Sequence, residues 1–279
     1  WMSIFVVAPI IIMVVYAFST AAGDFTLENF ARMGTYTAVF TRSFKLAIIA
    51  TLIALLIGYP VSYMLSKEGP QVQRIAMVLI MLPMWMNFLL RTYSWMSILE
   101  NNGLLNQLFQ QIGLIDLYNQ IAMHFASDPA AYVPIDHFQM IGTQGAVVLG
   151  MVYNYLPFMI LPIYSVLVKL DHSLIEAARD LGASSVQVFR KVILPLSLPG
   201  VLSGITMVFV PSVSTFAISR LLGGGTQMML GDLIEQQFLG GAYNPQLGAA
   251  IALVMMAIVV VCMLVMNRFG DGEEQAVML

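Results

Sequence analysis

The chain has 279 residues, of which 59% are hydrophobic and only 10% charged. A soluble domain carries about 25% charged residues, so the composition excludes an ordinary soluble enzyme and implies an integral membrane protein. The net charge of −3 is too small to point to nucleic acid, and the single cysteine, Cys262, excludes an internal disulfide.

Long continuous apolar runs, rather than short alternating ones, predict helical spans. The expectation is an all-α integral membrane fold of six transmembrane helices, with residues 1–279 forming a single membrane domain. Residues 1–18 are the first apolar run, with Pro9 in its middle. A secretory signal peptide is the competing reading, but no basic stretch is visible before the run and five further spans favour a retained helix. Residues 21–41 are polar and read as an external loop. The second span is 46–65, with Gly58 and Pro60, followed by a polar turn at 66–74. The third is 75–99. A mixed segment with short interfacial helices covers 100–143. The fourth span, 145–168, contains Pro157 and Pro162. The fifth, 196–222, contains Pro199 and Pro211. A Gly-rich loop at 223–246 leads to the sixth, 247–267. Each span is near the ~20 residues a bilayer needs.

Between the fourth and fifth spans lies the one long polar stretch with its own helical pattern. Ser173 and Glu176 predict a capping box that opens a short helix. Gly182 predicts a left-handed cap that ends it. Ser184 and Gln187 predict a second capping box, and Leu194-Pro195 opens the next apolar run. The 171–195 segment therefore reads as helix, glycine turn, helix at a membrane surface. Lys67, Arg74, Lys169, Arg179, Arg190, Lys191 and Arg268 fall in one set of alternate loops and only Arg32, Arg42, Lys45 and Arg220 in the other, while the long 100–143 loop holds Glu100, Asp116, Asp128 and Asp136 without Lys or Arg. The positive-inside rule then places both termini and 171–195 in the cytoplasm.

The chemistry of the spans is sparse. Gly223-Gly224-Gly225-Thr226 lacks the lysine and the preceding strand of a phosphate-binding loop. His124, His137 and His172 have no metal-ligand spacing. In the third span Trp85, Phe88, Thr92 and Trp95 are spaced as one helical stripe, and Asn87, Arg91 and Ser94 as an opposed one. Arg91 is the costliest residue in any span and reads as functional or paired; the competing reading has it reach headgroups or Glu100 at the external end. The aromatic stripe reads either as packing or as a wall that contacts a passing solute. Tyr153 and Tyr155 stand just before Pro157, and Pro211 precedes Ser212, Ser214 and Thr215. Polar residues beside such breaks line a cavity or make helix–helix contacts.

Glu176-Ala177-Ala178, Gly182 after three intervening residues, then Val192 and Leu194-Pro195 resemble the EAA motif of ABC-importer permeases, which more often has Ile at the place of Val192. Leu82-Pro83-Met84-Trp85 with Asn87 and Arg91-Thr92-Tyr93 is similar to the third span of spermidine/putrescine importer permeases. So are Leu156-Pro157-Phe158, Lys169-Leu170-Asp171 and the 222–238 segment. The resemblance implies a type I importer fold. In it, Glu176, Ala177, Ala178, Asp180, Leu181 and Gly182 of the coupling helix pair dock a separate ATPase. It also implies a second homologous permease (a heterodimer), two ATPase subunits that bind the ATP and Mg, no cofactor in this chain, an external polyamine-binding protein, and a bacterial cytoplasmic membrane. A polycation favours aromatic faces, which assigns Trp85, Phe88, Thr92 and Trp95 to the central cavity, with Tyr153 and Tyr155 as second-choice walls, and turns Arg91 toward a partner acid, the headgroups or the companion permease. An importer of phosphate, sulfate, molybdate, ferric iron or phosphonate is the alternative, although the acidic external loop suits anions poorly. A membrane-embedded enzyme would need clustered His, Asp or Glu within the spans. A channel or secondary transporter would not need the 171–195 segment.

Overall fold

The computed structural model describes residues 3–125 and 133–277. Among them regular structure is helical, with one isolated bridge between Ser19 and Phe25. A π turn at Ser3–Val7 leads into α1 (Ala8–Ala17), and a short α2 (Glu28–Arg32) precedes the long α3 (Thr37–Ser66). Next come α4 (Pro70–Met81), α5 (Phe88–Leu99), α6 (Leu104–Gln111) and α7 (Leu114–Phe125), then α8 (Gln144–Leu167). The chain continues through α9 (His172–Asp180), α10 (Ser185–Val188), α11 (Leu194–Ser214), α12 (Ala217–Leu222), α13 (Leu230–Leu239) and α14 (Pro245–Val277).

Four helical stretches are long and apolar enough to cross a bilayer: Glu28–Ser66, Gln144–Leu167, Ser185–Ser214 and Pro245–Met266. The expected first span is a shorter apolar helix, Ile4–Ala17. The expected third span is not one helix. Pro70–Trp85 and Phe88–Gln111 meet at 90°. Pro83 sits in a 3-10 turn, Leu82–Trp85, and Met86 turns extended with ψ 150. Asn87 then caps α5, its side-chain oxygen accepting from the N–H of Leu89 at 2.8 Å and of Leu90 at 3.4 Å. Asn is among the best N-cap residues because its short side chain meets the orphan donors of a new helix, so the break is written into the sequence at residue 87.

The expected fifth span is also shorter than 196–222. It ends at Ser214; Thr215 is extended and α12 starts afresh at Ala217. Pro211 removes a donor from the last turns. The Ser212 hydroxyl bonds Val208 O at 2.7 Å and that of Ser214 bonds Val210 O at 3.2 Å, competing for the same carbonyls. At its other end the span begins earlier, at Ser185, through a π turn (Phe189–Ile193) just before Pro195. A wider turn accommodates the N–H that Pro195 lacks.

The core is the triple contact of α3, α8 and α11. Ala54 and Tyr59 meet Met159 and Ile163 and, from α11, Val201 and Val208. Close approach needs small residues where no hydrophobic effect separates helix from lipid. A Cβ on Gly200 would lie 2.8 Å from the Pro162 carbonyl oxygen. The Tyr59 hydroxyl and Ser197 Oγ lie 2.8 Å apart, and Ser62 donates to Ile160 O at 3.1 Å. Such polar seams fix the register that uniform apolar packing leaves loose. At the far end from α9, Asn106 clamps Phe138, donating to its carbonyl at 3.0 Å and accepting from its N–H at 2.9 Å. This ties the 133–143 stretch to α6.

Candidate functional site

The 171–195 segment folds as a helix, a glycine turn and a second helix that runs into α11. The first cap is Asp171 rather than Ser173: Asp171 Oδ1 accepts from the Ser173 N–H at 2.9 Å. A carboxylate at this place also suits the positive end of the helix dipole, which a serine two residues later does not. Ser173 and Glu176 therefore form no capping box. The turn follows the expectation. Gly182 has φ +81. The Ala183 N–H reaches Ala178 O at 3.1 Å and the Gly182 N–H reaches Arg179 O at 2.8 Å, the paired bonds of a Schellman cap. The second capping box is present: Gln187 Oε1 accepts from the Ser184 N–H at 2.8 Å, and Ser184 Oγ accepts from that of Gln187 at 3.4 Å.

This turn presents an apolar tip. Leu181 is 89% exposed, and Glu176, Ala177, Asp180 and Gly182 are exposed with it. Ala178 differs. It is half-buried and packs on the cluster that contains Leu167 and Val188. Five of the six residues assigned to coupling thus share an open surface, and the sixth holds that surface against the bundle.

The solute-path candidates do not form one stripe. The break at residues 86–87 separates Trp85, 77% exposed, from the rest. In α5 the inward positions are Phe88, Arg91, Thr92, Trp95 and Leu99, offsets of 3, 4, 7 and 11 from Phe88 and so one helical face. Arg91 therefore lies beside Thr92 and does not oppose it. It is 8% exposed, with Nε and Nη1 buried and unpaired among the described residues. It reaches neither Glu100 nor the surface. Its neighbour is Tyr155, which in turn lies by Thr215. The Oδ1 of buried Asn154 is also unpaired, while its amide donates to Gly150 O at 2.9 Å. Thr92 is fully buried and donates to Phe88 O at 3.0 Å. Trp95 and Tyr153 meet edge to face at 5.3 Å. Together they line an apolar groove of about 670 Å³ between α3 and α8, along Ile49 and Ile53. Asn87 is used up as a cap and Ser94 is exposed.

A buried acid lies at the opposite end from α9, between the fifth and sixth spans. Asp232 Oδ2 accepts from the Ser219 hydroxyl and from the Met229 N–H at 2.9 Å. Burial raises its pKa above the ordinary 3.8, and those hydrogen bonds offset the rise only in part. Arg220 nearby is paired with Glu235 at 3.0 Å.

Residues 50–272 match the model of the family described as binding-protein-dependent transport system inner membrane component. The chain belongs to that family. It is the membrane-spanning permease of an ABC importer and not an enzyme. The permease is 35% identical, over 93% of its length and 88% of the relative's, to the spermidine/putrescine transport system permease protein PotB of Haemophilus influenzae. It is 34% identical, over 96% of its length and 93% of the relative's, to PotB of Escherichia coli. Its fold matches a bacterial ABC transporter involved in the import of the acidic polysaccharide alginate, with a TM-score of 0.76, 15% identity, and 97% and 91% of the two chains covered. The methionine transporter MetNI matches with a TM-score of 0.56 and 19% identity, covering 88% of the permease and 98% of that chain. At such identities these two report the fold and leave the solute open.

The sequence reading missed three members of the buried polar group. Asn154 stands unremarked between Tyr153 and Tyr155, Thr215 reads only as a neighbour of Pro211, and the stripe assignment turns Arg91 outward. The signal was available: Arg91 lies three residues from Phe88 and one from Thr92, on any helix that begins at residue 88.

Proposed function

We propose that this permease imports polyamines of the spermidine/putrescine class and forms half of the translocation path beside a second homologous permease. The observation that carries the reading is identity of 34–35%, over nearly the whole chain, to relatives that bear that name. The α9 turn lies on the cytoplasmic side, with both termini, as the Lys and Arg distribution supports. There the exposed face of Glu176, Ala177, Asp180, Leu181 and Gly182 docks one of two ATPase subunits. The ATPase binds the ATP and Mg, and an external polyamine-binding protein delivers the solute. The wall residues are Trp95 and Tyr153, the aromatic pair that lines an open groove. A cation over an indole face gains about 0.5–2 kcal/mol, enough to guide a solute and small enough to release it. Phe88 and Tyr155 stand behind this pair, and Trp85 lies outside it. The test is competitive uptake in a strain that lacks its own polyamine importers. Spermidine uptake should be restored by the intact system and reduced in Trp95→Ala and Tyr153→Ala with assembly unchanged. Uptake of phosphate, sulfate or molybdate in its place would overturn the solute class.

A further inference from the structure

We infer that the permease holds the phosphate of an anionic phospholipid in a basic pocket behind the α9–α10 unit. The pocket, about 350 Å³, is closed by the end of α3, the end of α8, α9 and α10. Its polar lining is Lys67, Arg179, Ser66 and Ser185. Among the described residues no carboxylate lines it. Neither Lys67 nor Arg179 has an ion-pair partner among the described residues. Lys67 instead lies over the Tyr63 ring, Nζ 3.9 Å from its centroid. That contact positions an ammonium without neutralising it. The volume suits a small polar headgroup. The guanidinium offers the bidentate fork that phosphate oxygens accept.

The rest of the lining explains why the phosphate should come from a lipid. Leu167, Leu170, Val188 and Ile193 make the floor apolar. Met64 and Val168, next in sequence to lining residues, are 68% and 40% exposed. An apolar floor beneath basic groups at the end of a bundle fits a headgroup with the start of its acyl chains alongside. A free anion has no use for it. The walls belong to two bodies, the bundle (α3, α8) and the coupling pair (α9, α10). A bound lipid therefore clips the coupling pair to the spans it must move. The inference uses the proposed orientation only to say which leaflet supplies the lipid, and its readout does not involve polyamine uptake.

The experiment takes the permease purified with its co-eluting subunits and stripped of lipid. It titrates nanodiscs or mixed micelles of phosphatidylglycerol, of phosphatidylcholine and, separately, inorganic phosphate. Bound lipid is counted by native mass spectrometry. Phosphatidylglycerol should bind well above phosphatidylcholine. Lys67→Gln with Arg179→Gln should weaken it roughly 30-fold, about fivefold for each basic residue near a membrane surface. Arg74→Gln and Arg190→Gln, which lie outside the pocket, should not. Arg179→Gln alone, an exposed change that spares the fold, should give the single fivefold step. Equal retention in the variants, equal binding of the two lipids, or saturation by inorganic phosphate alone would each overturn the assignment.

Discussion

Leu181 offers the cleanest separation of docking from folding. It stands at the tip of the Schellman turn with 89% of its surface open, so its side chain adds almost nothing to the permease's own stability. Substitutions at such positions stay within about 0.5 kcal/mol. Docked in a cleft of an ATPase, the same side chain would bury most of an isobutyl group, worth about 1.5–3 kcal/mol. Leu181→Ala removes most of that and should weaken ATPase binding by roughly 30-fold, since every 1.4 kcal/mol is tenfold. Leu181→Asp adds an unpaired charge to the contact and should abolish binding. The assay titrates purified ATPase onto the solubilised permease, with thermal unfolding of the permease alone as control. Unchanged affinity in both variants would refute the docking face. Ala178→Asp is a weaker tool. Ala178 packs on the permease's own core, so a charge there damages the fold and the contact together.

Other outcomes follow from the same geometry. Gly182→Ala meets no atom within 4 Å of its Cβ but must hold φ +81, so it should cost about 1–2 kcal/mol from the backbone alone and lower the yield of the ATPase complex; Gly182→Asn should cost less. Asn87→Ala should lower stability by about 1 kcal/mol through loss of the α5 cap, with Asn87→Ser restoring most of it, read by thermal unfolding. Asp232 has a folded pKa raised by burial, so the folded chain holds that proton more tightly than the unfolded one. Its contribution is best at low pH, declines as pH rises from 3.8 through the raised value, and stays low above it; Asp232→Asn should flatten that decline in a pH series of unfolding midpoints. Arg91→Met replaces a buried guanidinium with unpaired donors by an apolar chain of similar length, and should raise the unfolding temperature of the isolated permease. A fall of several degrees would show that Arg91 is satisfied by contacts beyond the unpaired donors seen here.

Features decided within a few residues were legible in the sequence. The glycine turn and the Ser184–Gln187 box depend on local backbone needs and stand where their residues put them, as do the second, fourth and sixth apolar runs, while the first is short, the third breaks and the fifth ends at Ser214. Even there, the capping-box pattern points to Ser173, while the cap that forms is Asp171, whose carboxylate matches the positive helix start. Features that depend on register across a break were not legible. The third span was read as one helix from residue 75, and every face drawn on it carried that phase. A helix that restarts at Asn87 carries a new phase. Trp85 then leaves the stripe, whereas Arg91, three residues from Phe88 and four from Trp95, shares their face with or without the break.

The same phase shift changes what the aromatic residues can do together. With the helix continuous, Trp85 would extend the wall that holds Trp95. With the helix broken, Trp95 finds Tyr153 on α8, and Arg91 comes to lie by Tyr155, close to the Thr215 break between α11 and α12. Two discontinuities, at residues 86–87 and 215–216, therefore meet around one buried cation. Backbone carbonyls at helix breaks and a guanidinium with free donors are complementary in charge and in hydrogen bonding. A small rotation of α5 against α12 would change how many of those donors are met. Arg91 thus stands at the joint between two breakable spans, while the aromatic pair one turn away lines the open groove.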